Sequence, residues 1–157
     1  MYPNDKRLLK FNEAEKIKQL KASVRRFLYA GGKIKYLKNC DYEPVGVALI
    51  QKSPAHNDKL LLAVSLCGPG DKYSKVKGLE IAFGRLNAKD CFVLNDRFLD
   101  QEQLTLGLAM QGALQSRLGP VPALSGHLGR VVVYDILSSI QGLRKHLKNK
   151  KKNDRVE

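Results

Sequence analysis

Tryptophan is absent from this chain, and the aromatic residues are five phenylalanines and six tyrosines. A wide platform that stacks many bases on aromatic rings is therefore not expected. Cysteine is also sparse. Cys40, Cys67 and Cys91 are an odd number with no Cys-x-x-Cys spacing, which argues against a disulfide framework. All three read as reduced thiols in or beside strands. Long apolar runs are missing too. The longest, Leu60–Val64 and Val131–Tyr134, fall far short of the roughly 20 residues that a membrane helix needs. No apolar segment follows the amino-terminal Met1–Arg7, so no secretory signal is visible and a cytoplasmic setting is expected.

Residues arranged for catalysis are few. His56, His127 and His146 are scattered, with no HxH or HExxH spacing and no Cys/His ligand set. No Gly-x-Ser-x-Gly elbow supplies a serine nucleophile. The expected cofactor is none, and the expected catalytic set is empty. One enzymatic alternative stays open: Asp90, Asp96 and Asp100 flank a strand, and such carboxylates are able to hold the metal of a nuclease. Aspartates beside strands more commonly mark turns and helix caps.

What the chain has in excess is positive charge. Twenty-eight Lys and Arg against fifteen Asp and Glu give a net charge of +13 and an isoelectric point near 9.8. That excess favours polyanionic partners and exceeds what solubility requires. It is also unevenly placed. Residues 1–38 hold eleven Lys/Arg and three Asp/Glu, residues 39–140 ten of each, and residues 141–157 seven and two. A neutral middle carries two basic ends.

At 157 residues the chain is long enough for one domain with a real core. The expected domain covers residues 1–148, with 149–157 as a flexible basic tail. Asn12 reads as the cap of a first helix running to about Ala30, with Glu13 and Glu15 in its first turn and Gly31-Gly32 ending it. Its apolar stripe is Ile17, Leu20, Val24, Phe27 and Leu28. Strands are expected at Ile34–Leu37, Val45–Gln51, Lys59–Cys67 and Cys91–Leu94, the middle two joined as an antiparallel hairpin. Helices are expected at 74–86, 101–118 and 131–148. The fold class is α+β: a small, mostly antiparallel sheet of three or four strands, with helices on one face and basic helices at both ends.

Between the third strand and the second helix lies Cys67-Gly68-Pro69-Gly70-Asp71-Lys72-Tyr73-Ser74-Lys75-Val76-Lys77-Gly78. A strand enters a glycine-containing turn and a helix leaves it, and helix starts attract anions. The spacing is not that of a nucleotide P-loop. Two readings stay open, a phosphate site helped by Lys72, Lys75 and Lys77, or a helix start capped by Asp71 or Ser74. Continued to Leu86, the segment shows Asp71, Tyr73, Ser74, Lys75, Gly78, Ile81, Ala82, Gly84, Arg85 and Leu86 in the order acidic-x-aromatic-Ser-basic-x-x-Gly-x-x-Ile-Ala-x-Gly-Arg-Leu. In this it resembles small uncharacterised phage and mobile-element proteins, over about one-fifth of the chain. The resemblance implies a phage-like source, hence a bacterial host cytoplasm, and a strand-turn-helix unit. It implies no activity. Leu79 stands where a basic residue is frequent in that group.

The expected function is non-enzymatic binding of nucleic acid through phosphate contacts without sequence preference, with RNA or single-stranded DNA ahead of duplex. Lys18, Lys21, Arg25, Arg26, Lys72, Lys75, Lys77, Arg85, Arg144 and Lys148 are the residues expected to contact the backbone, with Lys33, Lys35 and Lys38 adding charge. Tyr29, Tyr36 and Tyr42 are available for stacking. If the two end helices lie side by side, they make one positive surface. The alternative is an effector that docks on an acidic surface of a host protein, such as a polymerase or a defence component. No membrane partner is expected, and the oligomeric state is open.

Overall fold

A computed structural model describes residues 5–155 apart from Cys40, Asn57, residues 69–71 and Pro120, with the side chains of several further residues near the ends and at 127–128 left undescribed. Four strands, β1 (Lys33–Lys38), β2 (Pro44–Lys52), β3 (Lys59–Leu66) and β4 (Phe92–Asn95), form one antiparallel sheet in chain order. Five helices accompany it: α1 (Asp5–Tyr29), α2 (Lys75–Asn87), α3 (Asp96–Leu99), α4 (Gln103–Leu118) and α5 (Gly126–Arg155), with a 3-10 turn at Pro122–Leu124. The class and the antiparallel sheet match the sequence reading.

The helices do not lie on one face, as expected, but on both. Alternation along β2 and β3 shows why. Ala48, Ile50, Leu60, Leu62 and Val64 share one core with Leu106, Met110 and Leu114 of α4 and with Val133, Ile136 and Ile140 of α5. Val47, Leu49 and Ala63 point the other way, into a second core with Phe27 of α1 and Leu79 and Ala82 of α2. Val47 through Ile50 are completely buried, so every position of this run is covered on its own side. A strand wrapped on both faces reads as a continuous apolar run rather than an alternating one. The Val, Leu and Ile side chains among them each contribute about 1.5–3 kcal/mol by leaving water.

α1 begins at Asp5 and runs through Asn12 rather than being capped there. The segment Asp5–Phe11 has no Gly or Pro to break a helix. From Asn12 to Gln19 every side chain is exposed. The helix docks only through Leu20, Val24 and Phe27, while Ile17 and Leu28 face water. The Phe27 ring meets Phe83 edge to face at 5.5 Å. The stop is as expected: Gly31 takes φ +93°, and the Gly32 amide donates to the Phe27 carbonyl at 2.9 Å. A side chain on Gly32 would collide with the Phe27 ring.

Two short elements escape the sequence reading. α3 is a single turn capped by Asn95, whose Oδ1 accepts from the Phe98 amide at 2.8 Å. The 3-10 turn is held by α4: the buried Gln111 donates to the Leu124 and Gly126 carbonyls at 3.0 and 3.1 Å, and Gln115 to that of Leu124 at 2.9 Å. α5 starts five residues before Val131 and continues past Lys148 to Arg155, so the basic segment 149–155 extends the helix. Cys67 and Cys91 are thiols, the first half-buried at the end of β3 and the second buried. Cys40 lies outside the described residues. No described helix is long and apolar enough to cross a membrane.

Candidate functional site

Charge follows the fold closely. α1 carries eight Lys/Arg against three Asp/Glu, β1 three against none, and α5 eight against two. These three elements hold an excess of fourteen, and the rest of the chain balances to within one charge. They also meet. β1 is an edge strand, with α1 packed beside it on one face of the sheet and α5 on the other. The two basic end helices therefore do not lie side by side; the open edge of β1 stands between them.

Pairing with β2 fixes which way the β1 side chains point. Lys33 and Lys35 pair with Ile50 and Ala48 and share the α5 side, while Ile34 and Tyr36 pair with Leu49 and Val47 and share the α1–α2 side. Lys33 crosses beneath α5, where Gly142 leaves room for it: a Cβ at 142 would sit 3.1 Å from the Lys33 ammonium. Lys38 is exposed at the far end. Two exposed rings bracket this strand. Tyr29, four residues before it, is 96% exposed, and Tyr42, four residues after it, is 82% exposed. Tyr42 sits in the left-handed region at φ 61°. Tyr36, between them, is half-buried with the Lys75 ammonium 4.8 Å over its ring.

Beyond the Tyr36 end lies the start of α2. Ser74 Oγ accepts from the Lys77 amide at 3.2 Å, which is the capped-start reading, and Asp71 lies outside the described residues. Lys72, Lys75 and Lys77 are exposed, and Lys72 and Lys77 line a recess of about 150 Å³ with Gly46, Ser65, Tyr73 and Gly78. Burial pushes the Tyr73 hydroxyl up from its ordinary value, with Tyr36 and Cys67 acting in the same direction, so that hydroxyl is a donor at neutral pH. Beyond the other end of β1, a groove of about 510 Å³ opens between Ala30-Gly31, the β2–β3 hairpin and the last turns of α5. Lys52, Lys59, Lys148 and Lys150 line it, with Asp58 and Asp96 as its carboxylates and His146 beside them.

Of the residues expected to bind phosphate, Lys18, Lys21, Arg25 and Arg26 are exposed on α1 and Lys148 on α5. Arg85 and Arg144 differ: both turn their guanidinium groups into the protein. Arg85 Nη1 donates to the Val64 carbonyl, two residues past the last β3–β4 pair, Leu62↔Phe92. Arg144, 14% exposed, bonds Asp96 at 3.0 Å and Asp100 at 2.9 Å. Burial works against its charge, but Asp100 and Asp96 outweigh that, and the net shift is upward. Arg85 and Arg144 thus serve the fold, not a phosphate. Similar contacts engage the three aspartates considered for a nuclease. Asp90 pairs with Arg117 at 3.6 Å, Asp96 and Asp100 share Arg144, and among the described residues no three His, Cys, Asp or Glu gather to hold a metal.

Sequence reasoning missed Lys52, Lys59 and His146 as groove residues. A signal for the lysines was present, since they close the same predicted hairpin from either side. In comparisons with family models, curated proteins and solved structures, nothing matches this chain.

Proposed function

We propose that this protein binds single-stranded nucleic acid along the open edge of β1. The observation that carries the reading is the meeting there of α1, β1 and α5, the three elements that hold the chain's positive excess, with two exposed tyrosines, one beyond each end of the strand. A positive track that follows the backbone, with rings on which unpaired bases stack, is what binding of single strands without sequence preference requires. Six residues of extended chain span about 20 Å, which sets the two rings several nucleotides apart. Lys18, Lys21 and Arg25 on one flank, Lys148 with Lys52 and Lys59 on the other, and Lys72, Lys75 and Lys77 beyond the Tyr36 end supply phosphate contacts. Duplex DNA shields its base faces, so stacking on Tyr29 and Tyr42 favours RNA or single-stranded DNA. The resemblance of residues 71–86 to phage and mobile-element proteins supports a phage-encoded protein acting in a bacterial host's cytoplasm.

The test compares labelled single-stranded RNA, single-stranded DNA and duplex DNA across a salt series, for the native chain and for Tyr29→Ala and Tyr42→Ala. The expected result is a steep salt dependence for all three ligands. Each tyrosine replacement should weaken single-strand binding by about 1–3 kcal/mol with little effect on duplex. Failure to bind at about 50 mM salt, where phosphate contacts are strongest, would overturn the reading and leave an acidic protein surface as the ligand to seek.

A further inference from the structure

The face formed by α4 and the first half of α5 has the opposite character to the β1 edge. α4 has one ionisable side chain, Arg117, among its sixteen residues, in a chain that is 27% charged. From Gly126 to Leu143, α5 carries Arg130 and Asp135, which cancel. Large apolar side chains stand out of this face: Leu104 is 66% exposed, Leu108 50% and Tyr134 58%. Between the helices lies a groove of about 430 Å³, lined by apolar residues apart from Gln103 and Arg130. Gly107 lines it as well, and a Cβ built there meets nothing within 4 Å. The glycine is therefore not required by packing inside one copy.

We propose that two copies of this chain associate across this face. A two-fold contact needs a surface that is complementary to itself, and this one holds both parts: a ridge of Leu104, Leu108 and Tyr134 and a recess at Gly107. Charge makes this the face across which two copies can approach. At +13, two copies repel one another across most orientations. Here Arg130 and Asp135 cancel, so this face lacks the excess charge that opposes approach elsewhere. An acidic partner would be drawn instead to the basic edge. The footprint is also adequate. α4 is about 24 Å long, and two adjacent helices are roughly 20 Å wide. The projected area is on the order of 500 Å², and side-chain corrugation raises its accessible area toward the ~800 Å² per partner of a standard interface. None of the groove residues belongs to α1 or β1, so a dimer keeps both nucleic-acid edges open, and the inference does not depend on that reading.

Sedimentation velocity of the nuclease-treated full chain, over a concentration series at low and at high salt, tests it. The expected result is a species of twice the 17.6 kDa chain mass at micromolar concentration. It should be more populated at high salt, because screening relieves repulsion and leaves apolar contact intact. Leu108→Glu, at an exposed site, should raise the dissociation constant at least ten-fold while the melting temperature of the dilute protein stays unchanged. Gly107→Leu, which fills the recess, should weaken association likewise, with a melting temperature no lower than native because glycine is a poor helix former. A native chain that stays monomeric to about 100 μM, well above the weak-interface range, overturns the proposal. So does a dimer that survives both substitutions, or one that salt disperses.

Discussion

Reversing the charge of Lys18, Lys21 and Arg25 together is the sharpest probe of the α1 flank. The three lie at i, i+3 and i+7, hence on one helix face, along about 10 Å of axis. All are exposed, and α1 docks through Leu20, Val24 and Phe27, which the triple variant leaves in place. Its melting temperature should therefore stay within about 2 °C, as expected for surface substitutions. Each phosphate contact on a single strand contributes about 0.7 to the slope of log K against log salt. Losing three contacts lowers the slope magnitude by about 2. Between about 50 and about 200 mM salt, the ratio of native to variant affinity should then shrink about twenty-fold. Fluorescence anisotropy with a labelled oligonucleotide, taken at several salt concentrations, measures both slopes. Parallel lines, or equal affinities throughout, would refute a role for this face. Tyr29→Ala should behave oppositely, losing affinity with no change of slope.

Arg144→Gln is expected to affect stability rather than binding. It removes two bonds from a mostly buried guanidinium to half-exposed carboxylates, a cost of about 1–2 kcal/mol between the exposed and buried limits, or a fall in melting temperature of roughly 3–8 °C. Its salt slope should stay native, whereas Lys148→Gln should lower the slope by about 0.7 and leave the melting temperature alone. Cys91 should show a pH effect. Burial pushes its thiol up, against a smaller opposing effect of Arg117, with Asp90 adding to the rise. Folding then favours the protonated form. That contribution is whole below the ordinary thiol range and is lost as pH rises through the raised value. Urea midpoints measured from neutral pH to about pH 10 should fall less steeply for Cys91→Ala than for the native chain, and identical profiles would refute the assignment.

The strands were legible because their apolar runs are. The two-faced covering was legible in principle as well. Val47-Ala48-Leu49-Ile50 has no polar interruption, the mark of a strand buried on both sides, whereas a sheet with one wet face would alternate. Reading helices onto one face overlooked that run. The stop of α1 at Gly31-Gly32 and the Ser74 cap of α2 followed from local chemistry. Partners distant in the chain did not. Arg85 reaches Val64 across 21 residues and Arg144 reaches Asp96 across 48, and nothing local separates them from the exposed cations around them. The concentration of charge at the ends was visible in composition. Its gathering about one strand edge depends on α1 and α5 packing on opposite faces, which a linear charge count does not contain.

The sheet ends in two edge strands, β1 and β4, and β3 runs on past the end of β4; β1 and the β3 overhang are guarded by different means. Along β1 the guard is the charge of Lys33, Lys35 and Lys38, which a bound polyanion neutralises. Along the last residues of β3, where β4 has already ended, it is the Arg85 guanidinium on the Val64 carbonyl. A fibre grows only if each added molecule offers a second free edge to the next. With Arg85 on Val64 the overhang of β3 is not such an edge, which leaves the outer side of β4 as the place for a second strand.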